Sequence, residues 1–89
     1  MRIISQGGHA DLPYEEIALC MACEDIVARH NDKEYLMARY STMDKAQKAM
    51  EMLRDKYKDY AKATNKSNFF TMFDYPKVFQ FPQDEDVEV

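Results

Sequence analysis

Between Thr42 and Ala63 the apolar positions take on a helical period. Met43, Ala46, Met50, Leu53, Tyr57 and Tyr60 follow one another three or four residues apart, with Ala49 and Ala61 widening the stripe. Lys45, Lys48, Glu51, Asp55, Lys58, Asp59 and Lys62 fall mainly on the other side. That spacing is the repeat of one helix face. Ser41 offers an N-cap oxygen, Asp44 stands where a capping-box acid would, and no Pro or Gly interrupts the run. The polar stretch 64–68 ends it, with Asn65 suited to a left-handed cap. The pattern predicts one long helix over about 42–63.

Before the helix the pattern reads as strands. Arg2–Ser5 is short and β-prone, and Gly7-Gly8 turns the chain. Ile17, Leu19 and Met21 alternate with Ala18, Cys20 and Ala22, a period of two. Asp25–His30 and Tyr35–Tyr40 form two further runs joined by Asn31-Asp32-Lys33, a tripeptide suited to a hairpin loop. In the second run Leu36, Ala38 and Tyr40 are expected on one face. Pro13 belongs at a strand edge or start, because it has no N–H for a ladder. After the helix comes an aromatic stretch from Phe69 to Tyr75, closed by Pro76, and then Val78–Phe81 as a final strand, with Phe79 and Phe81 on one face.

A helix with one apolar stripe is unstable until that stripe is covered. The strands supply the cover, so the expected fold is α+β: a small two-layer domain with an antiparallel sheet of three to five strands packed on one long helix. Residues 1–82 make the domain, and 83–89 read as a short acidic C-terminal tail.

With 89 residues the core is small, since a chain of this size buries only about 60–65% of its unfolded surface. The net charge is −4. Residues 42–63 carry six basic and four acidic groups, so the acidic excess lies outside the helix. An acidic total argues against direct nucleic-acid or anionic-membrane binding, which needs clustered Lys and Arg. It suits a partner that is itself basic. The longest apolar run, Ile17–Cys23, is too short to span a bilayer, and Arg2 is not followed by a signal-type apolar core, so the expected location is cytoplasmic. In a reducing compartment two cysteines are thiols or metal ligands rather than a disulfide.

The most specific chemical pattern joins His9, Cys20, Cys23 and His30 as H-x10-C-x2-C-x6-H. Two thiolates and two imidazoles suit tetrahedral zinc, and a two-residue gap between cysteines is a normal ligand spacing. Residues three apart on a regular strand point to opposite faces, so both sulfurs reach one metal only if a turn lies between them. The other reading is that Cys20 and Cys23 are small buried residues, or residues near a hairpin end, and the histidines ordinary loop and strand-end residues. A redox Cys-x-x-Cys is disfavoured, because strand-like residues rather than a helix N-terminus surround it and Glu24 and Asp25 oppose a thiolate. No Ser/His/acid set is legible and Gly7-Gly8 is not a phosphate loop. An enzyme using Cys20 or Cys23 with His30 as base is the remaining catalytic option.

For partner binding, Phe69, Phe70, Phe73 and Tyr75 have the composition of interface anchors, and Asp84, Glu85 and Asp86 could mimic phosphates toward a basic groove. The same aromatics could instead close the core, and the same acids could serve solubility.

Several words of the chain resemble a group of short proteins carried by prophages and other mobile elements of gram-positive gut bacteria. They are Arg2-Ile3-Ile4-Ser5-Gln6, Pro13-Tyr14-Glu15, Tyr40-Ser41-Thr42, the stretch from Lys48 to Arg54, and Phe79-Gln80-Phe81-Pro82 before an acidic end. These are structural words and include no catalytic motif. What the resemblance implies is context: small acidic proteins of mobile elements include inhibitors of host defence, among them anti-CRISPR proteins that bind Cas9 or its guide complex. The expectation is a non-enzymatic inhibitor of a host defence protein. The alternative is a small structural or regulatory accessory protein that self-associates through a sheet edge.

Overall fold

The computed structural model describes residues 1–65 and 78–88. The chain is α+β. In order it runs β1 (Arg2–Ile4), β2 (Asp11–Pro13), a 3-10 turn (Tyr14–Glu16), β3 (Ala18–Ala22), β4 (Asp25–His30), β5 (Lys33–Arg39), α1 (Met43–Asn65), β6 (Val78–Gln80) and a second 3-10 turn (Asp84–Asp86). The described strands divide between two sheets of three. β3-β4-β5 is an antiparallel meander; in β2-β1-β6 the outer strand β2 is antiparallel to β1 and β6 is parallel to it.

One core joins both sheets to the helix. Ile3 and Leu12 come from the mixed sheet, Ile26, Ala28, Met37 and Ala38 from the meander, Ala46, Ala49, Met50 and Leu53 from α1, and Phe79, Phe81 and Val87 from the C-terminal segment. The helix stripe is as the spacing predicts except at its start, where Met43 is 56% exposed. The cap also sits one residue later than expected. Thr42 Oγ1 accepts from the Lys45 N–H at 3.2 Å and the Thr42 carbonyl takes the first helical bond, from Ala46. Position N3 is therefore Lys45 and no capping box forms. Asp44 still lies in the first turn, where its charge suits the helix dipole.

Two hairpin turns shape the meander. Asn31 and Asp32 adopt φ of 51° and 65°, a two-residue loop of the kind that Asn and Asp tolerate, and Lys33 already pairs with His30. Cys23-Glu24 closes the β3–β4 hairpin, with Cys23 at φ 58°. A register shift between Ile26 and Val27 leaves Met37 as an extra residue on β5: Ile26 faces Ala38 and Val27 faces Leu36. This bulge corrects the expectation for β5. Met37 and Ala38 are both buried, whereas Leu36 turns to the opposite face and is 51% exposed.

Gln6 ties the sheets together. Its backbone N–H donates to the bulged Met37 carbonyl at 2.6 Å. Its side-chain oxygen accepts from Arg39 N, its amide donates to the Pro82 carbonyl, and its own carbonyl accepts from Gln83 Nε2. Ser5, 4% exposed, holds the adjoining loop: its Oγ accepts from the N–H groups of both His9 and Ala10 at 3.0 Å, and Gly8 supplies the positive φ of 79° that the turn needs.

Tyr40 makes the C-terminal connection pH-sensitive. Its hydroxyl donates to the Pro82 carbonyl at 2.8 Å. Burial, and then the nearby Asp84 carboxylate, push its pKa up to about 12. Unfolded tyrosine ionises near 10, so the fold favours the protonated phenol. This contribution is fully present below about pH 10 and is lost as pH rises through about 12. Urea unfolding from pH 9 to 12 is expected to show a fall in stability that Tyr40→Phe reduces; an identical fall in both proteins would exclude Tyr40 as its source.

Candidate functional site

The four zinc candidates are not assembled. Cys20 lies within β3 opposite Val27, and Cys23 is the first residue of the next turn. His30 ends β4 at the other end of the same hairpin, about 16 Å from the turn at 3.3 Å per residue. Alternation along β4 places His30 on the side of Ile26 and Ala28, toward the core, while Cys20 shares the outer side with Val27. His9 belongs to the β1–β2 loop. No three His, Cys, Asp or Glu side chains among the described residues gather as a metal site. The β3–β4 turn begins at Cys23 itself, so no turn separates the two cysteines. The same geometry separates either thiol from His30 as a base. Both thiols are free and exposed, and the Cys20 Sγ lies 3.5 Å from the Met21 carbonyl.

The acidic C-terminal residues are fixed to the domain. The Asp84 carboxylate accepts from the Ser41 N–H at 2.6 Å and faces the Lys45 Nζ at 3.4 Å, and Lys45 also donates to the Asp84 carbonyl. The Ser41 N–H, with Lys45 adding to it, holds the Asp84 carboxyl below its ordinary range. Val87, 3% exposed, anchors the far side. The short acidic C-terminal stretch is thus seated against the start of α1 through Asp84. Glu85, Asp86 and Glu88 of this stretch are exposed. The sequence shows the acids, but Val87 is the signal that they are docked: an apolar residue within an acidic run. Phe69, Phe70, Phe73 and Tyr75 lie outside the described residues.

No family model, curated protein or solved structure matches the chain.

Three clefts stand out among the described residues. One of about 410 Å³ lies between the Ser5–Ala10 loop and β5 and includes His9. One of about 500 Å³ lies between Tyr14, Ile17 and Leu19 and the Met50, Leu53 and Tyr57 side of α1. There the Tyr14 and Tyr57 rings stand 4.5 Å apart between centroids. The third, about 370 Å³, is a depression on the outer face of the meander, lined by Ala18, Cys20, Ala22, Val27, Arg29 and Glu34. None of the three brings a thiol to an imidazole among its lining residues.

The outer face of the meander is organised in three transverse rows. Ala22, Asp25 and Arg39 form one; Cys20, Val27 and Leu36 the middle; Ala18, Arg29 and Glu34 the third. Arg39 grips Asp25 with two bonds, at 2.9 and 3.2 Å, and holds that carboxyl below its usual range. Arg29 bonds Glu34 at 2.6 Å. The face thus has an apolar centre between two charged rows. No helix among the described residues is long and apolar enough to cross a membrane.

Proposed function

We propose that the protein is a non-catalytic inhibitor that binds a basic site on a host defence protein and blocks it by occupancy. Its most concrete target is a CRISPR nuclease of the Cas9 kind or that nuclease's guide complex, as the resemblance to mobile-element proteins implies. The observation that carries this reading is the anchored acidic turn. Seated by Ser41, Lys45 and Val87, it presents Glu85, Asp86 and Glu88 without the ordering cost that a free tail would have on binding. A channel that holds nucleic acid is basic and complements these exposed acids.

The test adds the protein at rising ratios to candidate defence nucleases and follows DNA cleavage. Inhibition is expected to saturate near one equivalent and to weaken as salt rises, because exposed charges are screened beyond a Debye length of about 8–10 Å. Charge reversal at Glu85 and Asp86, whose side chains are exposed, isolates the electrostatic part; removing 83–89 would also remove Val87 from the core. Inhibition of no defence nuclease, or inhibition indifferent to both salt and charge reversal, would sink the proposal. The accessory-protein reading has its own support in β3, which pairs on one side only among the described strands and so offers an edge to a second copy.

A further inference from the structure

We infer that the outer face of β3-β4-β5 is a docking surface for the same face of a second copy of this chain, related by a two-fold axis along the row Cys20–Val27–Leu36. The inference does not rest on the inhibitor reading.

The argument comes from the order of charges. In the row Ala22–Asp25–Arg39 the acid is on β4 and the base on β5; in the row Ala18–Arg29–Glu34 the base is on β4 and the acid on β5. A two-fold axis along the middle row exchanges the outer rows between copies. Arg29 then lies over Asp25 of the other copy, Glu34 over Arg39, and Ala18 over Ala22. Every charge meets its opposite, which is the self-complementarity an isologous interface requires. Had both rows carried the acid on β4, the same axis would have set like charges against each other. The middle row meets itself, and it is apolar, with Leu36 51% exposed. On β3 the outward side chains are Ala18, Cys20 and Ala22, all exposed and small; they line the depression of about 370 Å³ and let two β3 strands close on each other. A face of three short strands is small, below the standard interface size, so the dimer is a weak one that exchanges with monomer.

Facing sheets lie about 10 Å apart backbone to backbone, which brings the two Cys20 sulfurs within reach of a short-armed bismaleimide. Cys23 lies three residues further along the strand, about 10 Å from the axis, so two copies of it stand roughly 20 Å apart. The experiment therefore cross-links Cys23→Ser and Cys20→Ser proteins across a concentration series. The first is expected to give covalent dimer with a yield that rises with concentration, and the second at least tenfold less. Arg29→Glu in the Cys23→Ser background places a carboxylate over Asp25 of each other copy and is expected to lower the dimer yield at least tenfold. Circular dichroism should stay unchanged, since the Arg29–Glu34 pair is exposed and adds little to the fold. Edge-to-edge pairing of two β3 strands would also bring the Cys20 residues together, but its yield would not respond to Arg29→Glu; that result overturns the proposal. So does equal cross-linking through Cys23, or a sedimentation profile that is monomeric up to millimolar protein.

Discussion

Phe81→Ala is expected to cost about 3–5 kcal/mol of folding stability, the range for a fully buried ring. Phe81 is 1% exposed, packs edge-on against Phe79 at 5.3 Å, and donates its backbone N–H to the Ile4 carbonyl. It follows β6, the strand that closes the mixed sheet on the parallel side of β1, so its loss removes core volume where the two ends of the chain meet. Val78→Ala on the same strand serves as the control: Val78 is 48% exposed, and its truncation should cost under about 0.5 kcal/mol. Urea denaturation of the two variants checks this. Similar midpoints would mean that the C-terminal segment is not part of the core.

Leu53→Ala, the second large effect, is expected to cost about 2–5 kcal/mol, a large share of the roughly 5–15 kcal/mol that holds a domain together. Leu53 is fully buried at the centre of the helix stripe, with Ala49 and Met50 one turn before it. Glu51→Ala, on the exposed side, should change stability by less than about 0.5 kcal/mol. Thermal melts followed at the helical circular-dichroism band distinguish the two; equal shifts would mean that α1 presents a different face to the sheets. Together the variants probe the core from both sides, because Leu53 comes from the helix and Phe81 from the segment after β6.

The candidate surfaces were legible in composition but not in placement. The acids at 84–86 stand out in the sequence; their seat on Ser41 and Lys45 does not, because it joins residues 39 to 43 positions apart. Cys20 and Cys23 read as a ligand pair because the spacing fits. The hairpin instead turns at Cys23-Glu24 and leaves His30 at its other end. Leu36 reads as a core residue by alternation with Ala38 and Tyr40. One extra residue at Met37 reverses its side and makes it the apolar end of the middle outer row. A bulge has no strong local signature, since any residue can be the one left unpaired.

Elements whose causes are local could be read along the chain. The helix follows from an unbroken three-and-four spacing, and the β4–β5 hairpin from Asn31-Asp32. Asp25–His30 follows from its bounding turns, and the α+β class from one helix stripe that needed cover. Tertiary structure alone decided the division into two sheets, the parallel pairing of β1 with β6, the bulge, and the docking of the acidic segment. The physical reason is range. A helix turn or a tight hairpin is chosen by dihedral preferences and contacts within a few residues. The Gln6–Pro82 bond, across 76 positions, forms only after the rest of the chain has closed the loop between them. Pairing at that distance is selected by which strand edges and apolar faces remain uncovered, and no local pattern in the sequence records that.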